Sequence, residues 1–200
     1  MPGTQFTRGK GLLEPLLARL RADKANAMIA ESLRNGRILD IGCGSYPYFL
    51  AHTSFKEKFG IDQLATSHPV SADLKIEIHT LDLNVAPTLP FEEGFFDVVT
   101  LLAVVEHLNP SSMAILFGEI YRVLRGEGMV IMTTPAAWAD GLLHGMARFN
   151  LVSAEEINEH TYAYTLPLLG WYFGQAGFGM HKIKFGYFEW GLNMWATAKK

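Results

Sequence analysis

Along the chain, short apolar runs recur at intervals: "RILDI" at 37–41, "KFGI" at 58–61, "IEIHTLDL" at 76–83, "FDVVTLLA" at 96–103 and "MVIMTT" at 129–134. Near-continuous apolar runs of this length, with turn-rich or helical stretches between them, predict parallel strands covered on both faces. Residues 12–33 place Leu12, Leu13, Leu16, Leu17, Leu20, Met28 and Leu33 at helical spacing. Asp23 is positioned to interrupt that helix and restart it as an N-cap, and Asn35-Gly36 ends it. A second helix is expected after Asn109-Pro110, with Met113, Leu116, Phe117, Ile120, Val123 and Leu124 as its inward stripe before Gly126. The stretch "LATSHPVSADLK" at 64–75 has little periodicity and contains Pro69, so a degenerate helix or a loop is expected there. At the end, "HKIKFGYFEW" and "LNMWATAKK" are separated by little more than Gly191, too short a link for a parallel crossover, so these two strands should be antiparallel neighbours. The pattern is that of an α/β protein: a Rossmann-like, doubly wound sheet in three layers.

Composition narrows the picture. Two hundred residues, 49% of them hydrophobic and without a shift in composition, predict a single domain over residues 1–200. A net charge of −3 gives no electrostatic reason to expect nucleic acid as a partner. The lone Cys43 has no internal disulfide partner, and the start "MPGTQFTRGKGLL" lacks the build of a secretory signal, so a cytoplasmic protein is expected. Residues 163–180 carry no charge, but Pro167, Gln175 and four glycines argue against a transmembrane helix. A buried helix followed by a turn into a strand is the favoured reading, with peripheral membrane contact as the alternative. Nothing in the pattern specifies an oligomeric state.

The loop after the first run, "RILDIGCGSYPYFL", concentrates the candidate chemistry. In open α/β sheets ligands sit beyond the carboxyl ends of the strands. Gly42 and Gly44 let a ligand approach the backbone there, and Tyr46-Pro47 is placed to start a helix whose free N–H groups face the same crevice. A dinucleotide loop would want a third glycine where Pro47 stands, which counts against a nicotinamide-dependent oxidoreductase. Asp40, Asp62 and Asp82 fall at three successive strand ends. Together they suit a ligand with a positive centre, ribose hydroxyls and an amino-substituted purine.

In order, "ILDIGCGSYPYFL", "GIDQL", "LDLN", "FFDVVTLLAVVEHLNP" and "YRVLRGEGMVIMTTP" resemble the successive motifs of class I S-adenosylmethionine-dependent methyltransferases, in the small-molecule branch with the "VEHL" motif. The resemblance covers about residues 36–136. It implies S-adenosyl-L-methionine as cofactor, with Asp40, Gly42, Cys43 and Gly44 along its methionine end. Asp62 would take the ribose hydroxyls, Gln63 and Leu64 flank the adenine, Asp82 and Leu83 meet its amino edge, and Leu102 and Ala103 continue the wall. It also implies a seven-stranded sheet with an antiparallel last strand. This chain departs from the pattern at Tyr46, where many relatives carry glycine, and at "RGEG", residues 125–128, where they carry "KPGG". The first change would narrow the cofactor pocket or line the acceptor site, and the second is turn chemistry.

Methyl transfer from a sulfonium is an in-line displacement, accelerated mainly by alignment. A general base is needed only where the acceptor must lose a proton. His107, in "VVEHLNP", is the catalytic candidate, and hydrogen bonding that fixes its loop is the other reading. The histidines lack paired metal-ligand spacing, so no metal site is expected. Cys43 is a small loop residue under the resemblance rather than a nucleophile. Residues 1–36 form an N-terminal helical cap in this reading, and 135–164 a substrate-lid insertion. Tyr46, Trp138, Tyr162 and Tyr164 are then candidates for an apolar acceptor wall, with His144 and His160 placing a polar group of the acceptor. The expected acceptor is a small molecule, a lipid or a glycan. A non-catalytic binding or scaffold domain is the alternative.

Overall fold

The computed structural model describes residues 12–64, 74–153 and 163–200. Seven strands form one sheet: β1 (Arg37–Ile41), β2 (Glu57–Asp62), β3 (Ile76–Thr80), β4 (Phe96–Leu102), β5 (Leu124–Pro135), β6 (Ile183–Phe188) and β7 (Asn193–Lys199). Their spatial order is β3-β2-β1-β4-β5-β7-β6, and only β7 runs antiparallel to its neighbours. The helices are α1 (Glu14–Met28), α2 (Tyr48–Ala51), α3 (Pro110–Val123), α4 (Asp140–Arg148) and α5 (Leu166–Ala176). This is the expected Rossmann-like architecture, and the order reverses between β1 and β4, where such sheets open a crevice.

Alternation along the strands sorts the core into two layers. Ile38, Val98, Met129 and Ile131 pack with Ala22 and Ala25 of α1 and with Phe49 and Leu50 of α2. Leu39, Ile41, Val99, Leu101, Val130 and Met132 pack on the other face with the α3 stripe Met113, Leu116, Phe117, Ile120 and Val123, and with Leu169 and Phe173 of α5. Leu124, counted with that stripe in the sequence, instead begins β5 opposite Phe96. The "RGEG" segment lies inside β5, where the register shifts between Phe96 and Val98 and Glu127 takes a φ of 62°.

Two expectations are corrected. Asp23 does not break the first helix: α1 runs through it, Asp23 is exposed, and it pairs with Arg19 one turn earlier at 3.5 Å. Burial of Ala22 and Ala25 on either side holds that turn helical. The helix after the glycine loop is one turn only, because residues 42–56 must hold both the loop and the crossover to β2. A single turn following Pro47, which has no N–H, offers no array of free donors.

The uncharged 163–180 region forms α5, closed by Gly177 at a φ of 106°. Among the described residues no helix is long and apolar enough to cross a membrane. Residues 64–75 and the proposed lid fall partly at 65–73 and 154–162, outside the described residues.

The segment before β4 is fastened to α3 by the Arg122–Glu119 pair. Arg122 donates to the carbonyls of Phe91 at 2.8 Å and Leu89 at 3.0 Å and forks onto Glu119, whose carboxylate also accepts the Leu89 N–H at 2.8 Å. The Arg122 hydrogen bond holds the Glu119 carboxyl below its usual 4.5. Arg122→Met is expected to lower unfolding free energy at pH 7 by about 2 kcal/mol, since hydrogen bonds from charged groups are lost while the exposed part of the pair contributes little. A folded-state value below the unfolded one means the pair's contribution is full above 4.5 and fades as pH falls through the Glu119 titration. Denaturant unfolding at pH 7 and pH 3 should therefore show a smaller difference at the lower pH.

Candidate active site

A cleft of about 490 Å³ opens at the carboxyl ends of β1, β2 and β4, roofed by α1. Asp40, Asp62 and Asp82 all line it. The glycine loop forms its base. Gly42 and Cys43 both donate their N–H groups to the Ile61 carbonyl, at 2.7 and 3.1 Å, which ties the loop to the end of β2. Gly42 and Gly44 have φ values of 74° and 73°, conformations that a side chain strains. A Cβ on Gly42 would sit 2.3 Å from Cγ2 of Val104, whereas one on Gly44 meets nothing nearer than 3.8 Å. Gly44 therefore leaves backbone open to the cleft.

Each acid is fixed differently. Asp62 accepts Gly44 N–H at 2.9 Å on one oxygen and Leu64 N–H at 2.8 Å on the other, which keeps further lone pairs on both. Asp82 lies two residues beyond β3 and accepts Asn84 N–H at 2.9 Å. Asp40 is buried inside β1 and accepts the Thr100 hydroxyl at 2.7 Å. Burial raises its carboxyl, the Thr100 hydrogen bond offsets part of that rise, and nearby Asp62 adds to it, leaving it at about 7.

The opposite wall follows β4. Leu102 and Ala103 line the cleft, with Ala103 at a φ of 58° and its N–H on the Thr133 carbonyl at 3.0 Å. The turn Val105–His107 follows and places Glu106 and His107 on the wall. Glu106 is buried and accepts the Thr134 hydroxyl at 3.0 Å. Asn84 braces the turn from across the cleft, donating to the His107 carbonyl at 3.0 Å and accepting Asn109 N–H at 2.9 Å.

Gln63, Leu83 and Tyr46 also line the cleft. Cys43 contributes to its base, but its sulfur seats over Gly60, where a Cβ would come within 2.8 Å. Burial, then the charges of Asp40 and Asp62, push its thiol far above the range in which a thiolate forms.

Four candidates do not line the cleft. Leu64 is half exposed and meets the site through its N–H on Asp62. Trp138 is largely exposed, its ring beside Gly191. His144 is exposed on α4. Tyr164 is wholly buried, and its hydroxyl donates to the Leu108 carbonyl at 3.3 Å, so it is a core residue. His160 and Tyr162 lie outside the described residues. Among the described residues no group of three or more His, Cys, Asp or Glu is placed to hold a metal ion.

The α1 end of the cleft contains residues that the sequence reading passed over: Glu14, Leu17, Ala18 and Arg21 of α1, with Val152 and Asn193. Glu14 and Arg21, two turns apart on one helix face, were the available signal.

A methyltransferase-domain model matches residues 39–132. No curated protein sequence matches the chain. A possible histamine N-methyltransferase from Thermotoga maritima superposes with a TM-score of 0.68 at 15% identity, over 92% of this chain and 90% of that one. A methyltransferase from Mesorhizobium loti gives 0.64 at 16%, over 89% and 96%, and one from Archaeoglobus fulgidus gives 0.64 at 16%, over 94% of each. The domain match over residues 39–132 supports a methyltransferase enzyme with S-adenosylmethionine as cofactor, and the seven-stranded fold is one shared with S-adenosylmethionine-dependent methyltransferases.

Proposed function

We propose that the chain methylates a small acceptor bound between the glycine-loop end of the cleft and α1, as a member of the small-molecule branch with the "VEHL" motif. The observation that carries this reading is the continuity of one cleft from the three acids to the polar face of α1. Open backbone at Gly44, a fixed acceptor at Asp62 and a buried acid at Asp40 fit the cofactor's ribose and charged amino-acid end. When bound, the cofactor supplies an electrophilic methyl on a positively charged sulfur.

The chain's residues then hold, orient and deprotonate. Asp40, Gly42, Cys43 and Gly44 bound the amino-acid end, with Cys43 acting through its backbone. Asp62 would accept hydrogen bonds from the ribose hydroxyls, Gln63 would flank the adenine, Leu64 acts by fixing Asp62, and Asp82 with Leu83 would meet the amino edge. Leu102 and Ala103 continue the wall. Residues 1–36 serve as the cap through α1, and 135–164 as the lid, with Pro135, Leu143 and Val152 its described members on the cleft. Tyr46 narrows the passage between the two ends. His107, braced by Asn84, takes the proton of a hydroxyl acceptor.

Three outcomes test this reading. Gly42→Ala drives a Cβ into Val104 in a strained conformation, and Asp62→Ala releases the Gly44 and Leu64 N–H groups; calorimetry should show each weakening S-adenosylmethionine binding at least tenfold.

Asp40 sets the pH dependence. Its carboxyl rises from 3.8 to about 7 on folding, so its contribution to stability is full below 3.8 and is lost as pH rises to about 7. A cation beside it favours the carboxylate and must displace that proton below pH 7. S-adenosylmethionine affinity should therefore fall by up to about tenfold per pH unit from 7 downward and level off above it. Asp40→Asn should remove the slope, which titrations between pH 5.5 and 8.5 will read.

Using an acceptor found by screening pooled sugars, amines and lipids with labelled cofactor, His107→Ala should lower kcat by about 100-fold or more if it is the base. Cofactor affinity should stay within threefold; parallel loss of both would assign His107 to loop order alone.

A further inference from the structure

Large apolar side chains that the fold leaves outside gather around α4 and its neighbours. Leu142 and Phe149 stand two turns apart on one face of α4, with Trp138 in the turn before it, and all three are exposed. The inward face of the same helix is already covered, since Leu143, Met146 and Ala147 pack with Val152 and with Leu17 of α1. Leu12 N–H donates to the Asn150 carbonyl at 3.0 Å, which sets exposed Leu12, and exposed Leu16 beyond it, beside the end of α4. At the start of α4, a Cβ on Gly191 would come 3.5 Å from the Trp138 ring, so Trp190 adjoins that end. Trp190 is 94% exposed and Phe149 77%.

The backbone presenting Trp190 is strained. Glu189, Trp190 and Gly191 take successive φ values of 51°, 54° and 87° at the β6–β7 turn, and two of them are not glycine. Such residues persist only where their surroundings over-determine them. Here Leu192 N–H donates to the Glu189 carbonyl at 3.0 Å, and Ala136 N–H to the Leu192 carbonyl at 2.8 Å. The Asn193 side chain donates to the Glu189 carboxylate, on which the charge of Arg21 also acts. These contacts fix Glu189 and Leu192 on either side of Trp190, and none of them uses its ring.

We infer that this face docks on an anionic lipid bilayer, with Trp190, Leu142 and Phe149 in the boundary between headgroups and acyl chains and Arg148 among the lipid phosphates. Charge favours that occupant. His144 and Arg148 stand one turn apart on α4, both exposed, and Arg148 makes no ion pair within 4 Å among the described residues. The chain as a whole carries −3, so attraction to an anionic surface is local to a face such as this one. Shape favours it too. The exposed rings project separately, with Gly141 and Gly145 between them on α4, where a Cβ would meet nothing within 4 Å. A folded partner needs a packed complement to such a surface, whereas a fluid boundary does not. That boundary also suits Trp, whose ring is apolar and whose N–H stays wet. Leu17 and Leu143, sequence neighbours of Leu16 and Leu142, line the cleft, so docking sets the α1 end of the cleft beside the membrane.

The test is flotation of the full chain with vesicles of phosphatidylcholine alone and of phosphatidylcholine with about one third phosphatidylglycerol. Wild type should float with the anionic vesicles and bind the neutral ones at least about fivefold more weakly. Trp190→Ser and Phe149→Ser should each weaken binding to the anionic vesicles about tenfold or more, and Arg148→Glu should remove most of the preference for them. All three side chains are exposed, so the thermal unfolding midpoint should stay at the wild-type value and certify that the variants fold. Absence of flotation overturns the inference, as do equal binding to both vesicles and binding that no variant alters. Sedimentation velocity covers the other occupant: self-association that Trp190→Ser abolishes, without vesicle binding, overturns the inference in favour of a second copy of this chain. No arm of the test uses the cofactor, so its failure leaves the methyltransferase reading in place.

Discussion

The cleft exists because the end of β2 holds the loop after β1 open. Ile61 spends its carbonyl on two consecutive loop N–H groups, Gly42 and Cys43, and Asp62 takes a third from Gly44. A loop with left-handed residues at both glycines has no regular hydrogen bonding of its own, so these three bonds set its shape. Gly60 completes the arrangement from within β2, since its missing side chain is the space into which the Cys43 sulfur packs. The loop's side chains are thereby drawn into the core while its backbone faces the cleft. Without that tie, Asp62 would lose its fixed orientation and the three acids would no longer converge on one volume.

Convergence of acids has a cost that the fold carries at Asp40. Its carboxylate accepts the Thr100 hydroxyl, which offsets part of the burial but leaves the carboxyl able to keep its proton near neutrality. A buried acid supplied with more donors would be permanently ionised and better satisfied, yet less responsive to a cation. Leaving Asp40 under-satisfied makes an incoming positive group more favourable there than in water. The strained Ala103 on the facing wall has the same logic, with backbone held in a costly conformation by the end of β5 so that the cleft stays open.

How much of this was legible in the sequence follows from which forces are local. The strands were readable because a parallel sheet buried on both faces demands apolar runs, and "RILDI" is β1 residue for residue. The short link at Gly191 forces antiparallel pairing whatever surrounds it. The convergence of Asp40, Asp62 and Asp82 was legible because strand ends in such a sheet share one edge. Failures came where distant packing decides. Asp23 has the chemistry of an N-cap, but burial of Ala22 and Ala25 outweighs it. Tyr164 and Trp138 look alike as aromatic members of a long connection, and only their neighbours make one a core residue and leave the other at the surface. Nothing local marks Arg21 as facing a hairpin turn that follows it by more than 160 residues.

That last pairing shows why the α1 end of the cleft differs from the glycine-loop end. The glycine-loop end is built from strand ends and the loops directly after them, positions that the sheet itself aligns. The α1 end is assembled from α1, the α4 region and the start of β7, three pieces of surface whose relation depends on side-chain bonds such as Glu14 to Ser153 and Asn193 to Glu189. An aligned sheet edge tolerates change in any one loop. Side-chain bonds between separate elements change with single substitutions. Divergence at such a wall reshapes that end of the cleft without disturbing the three acids.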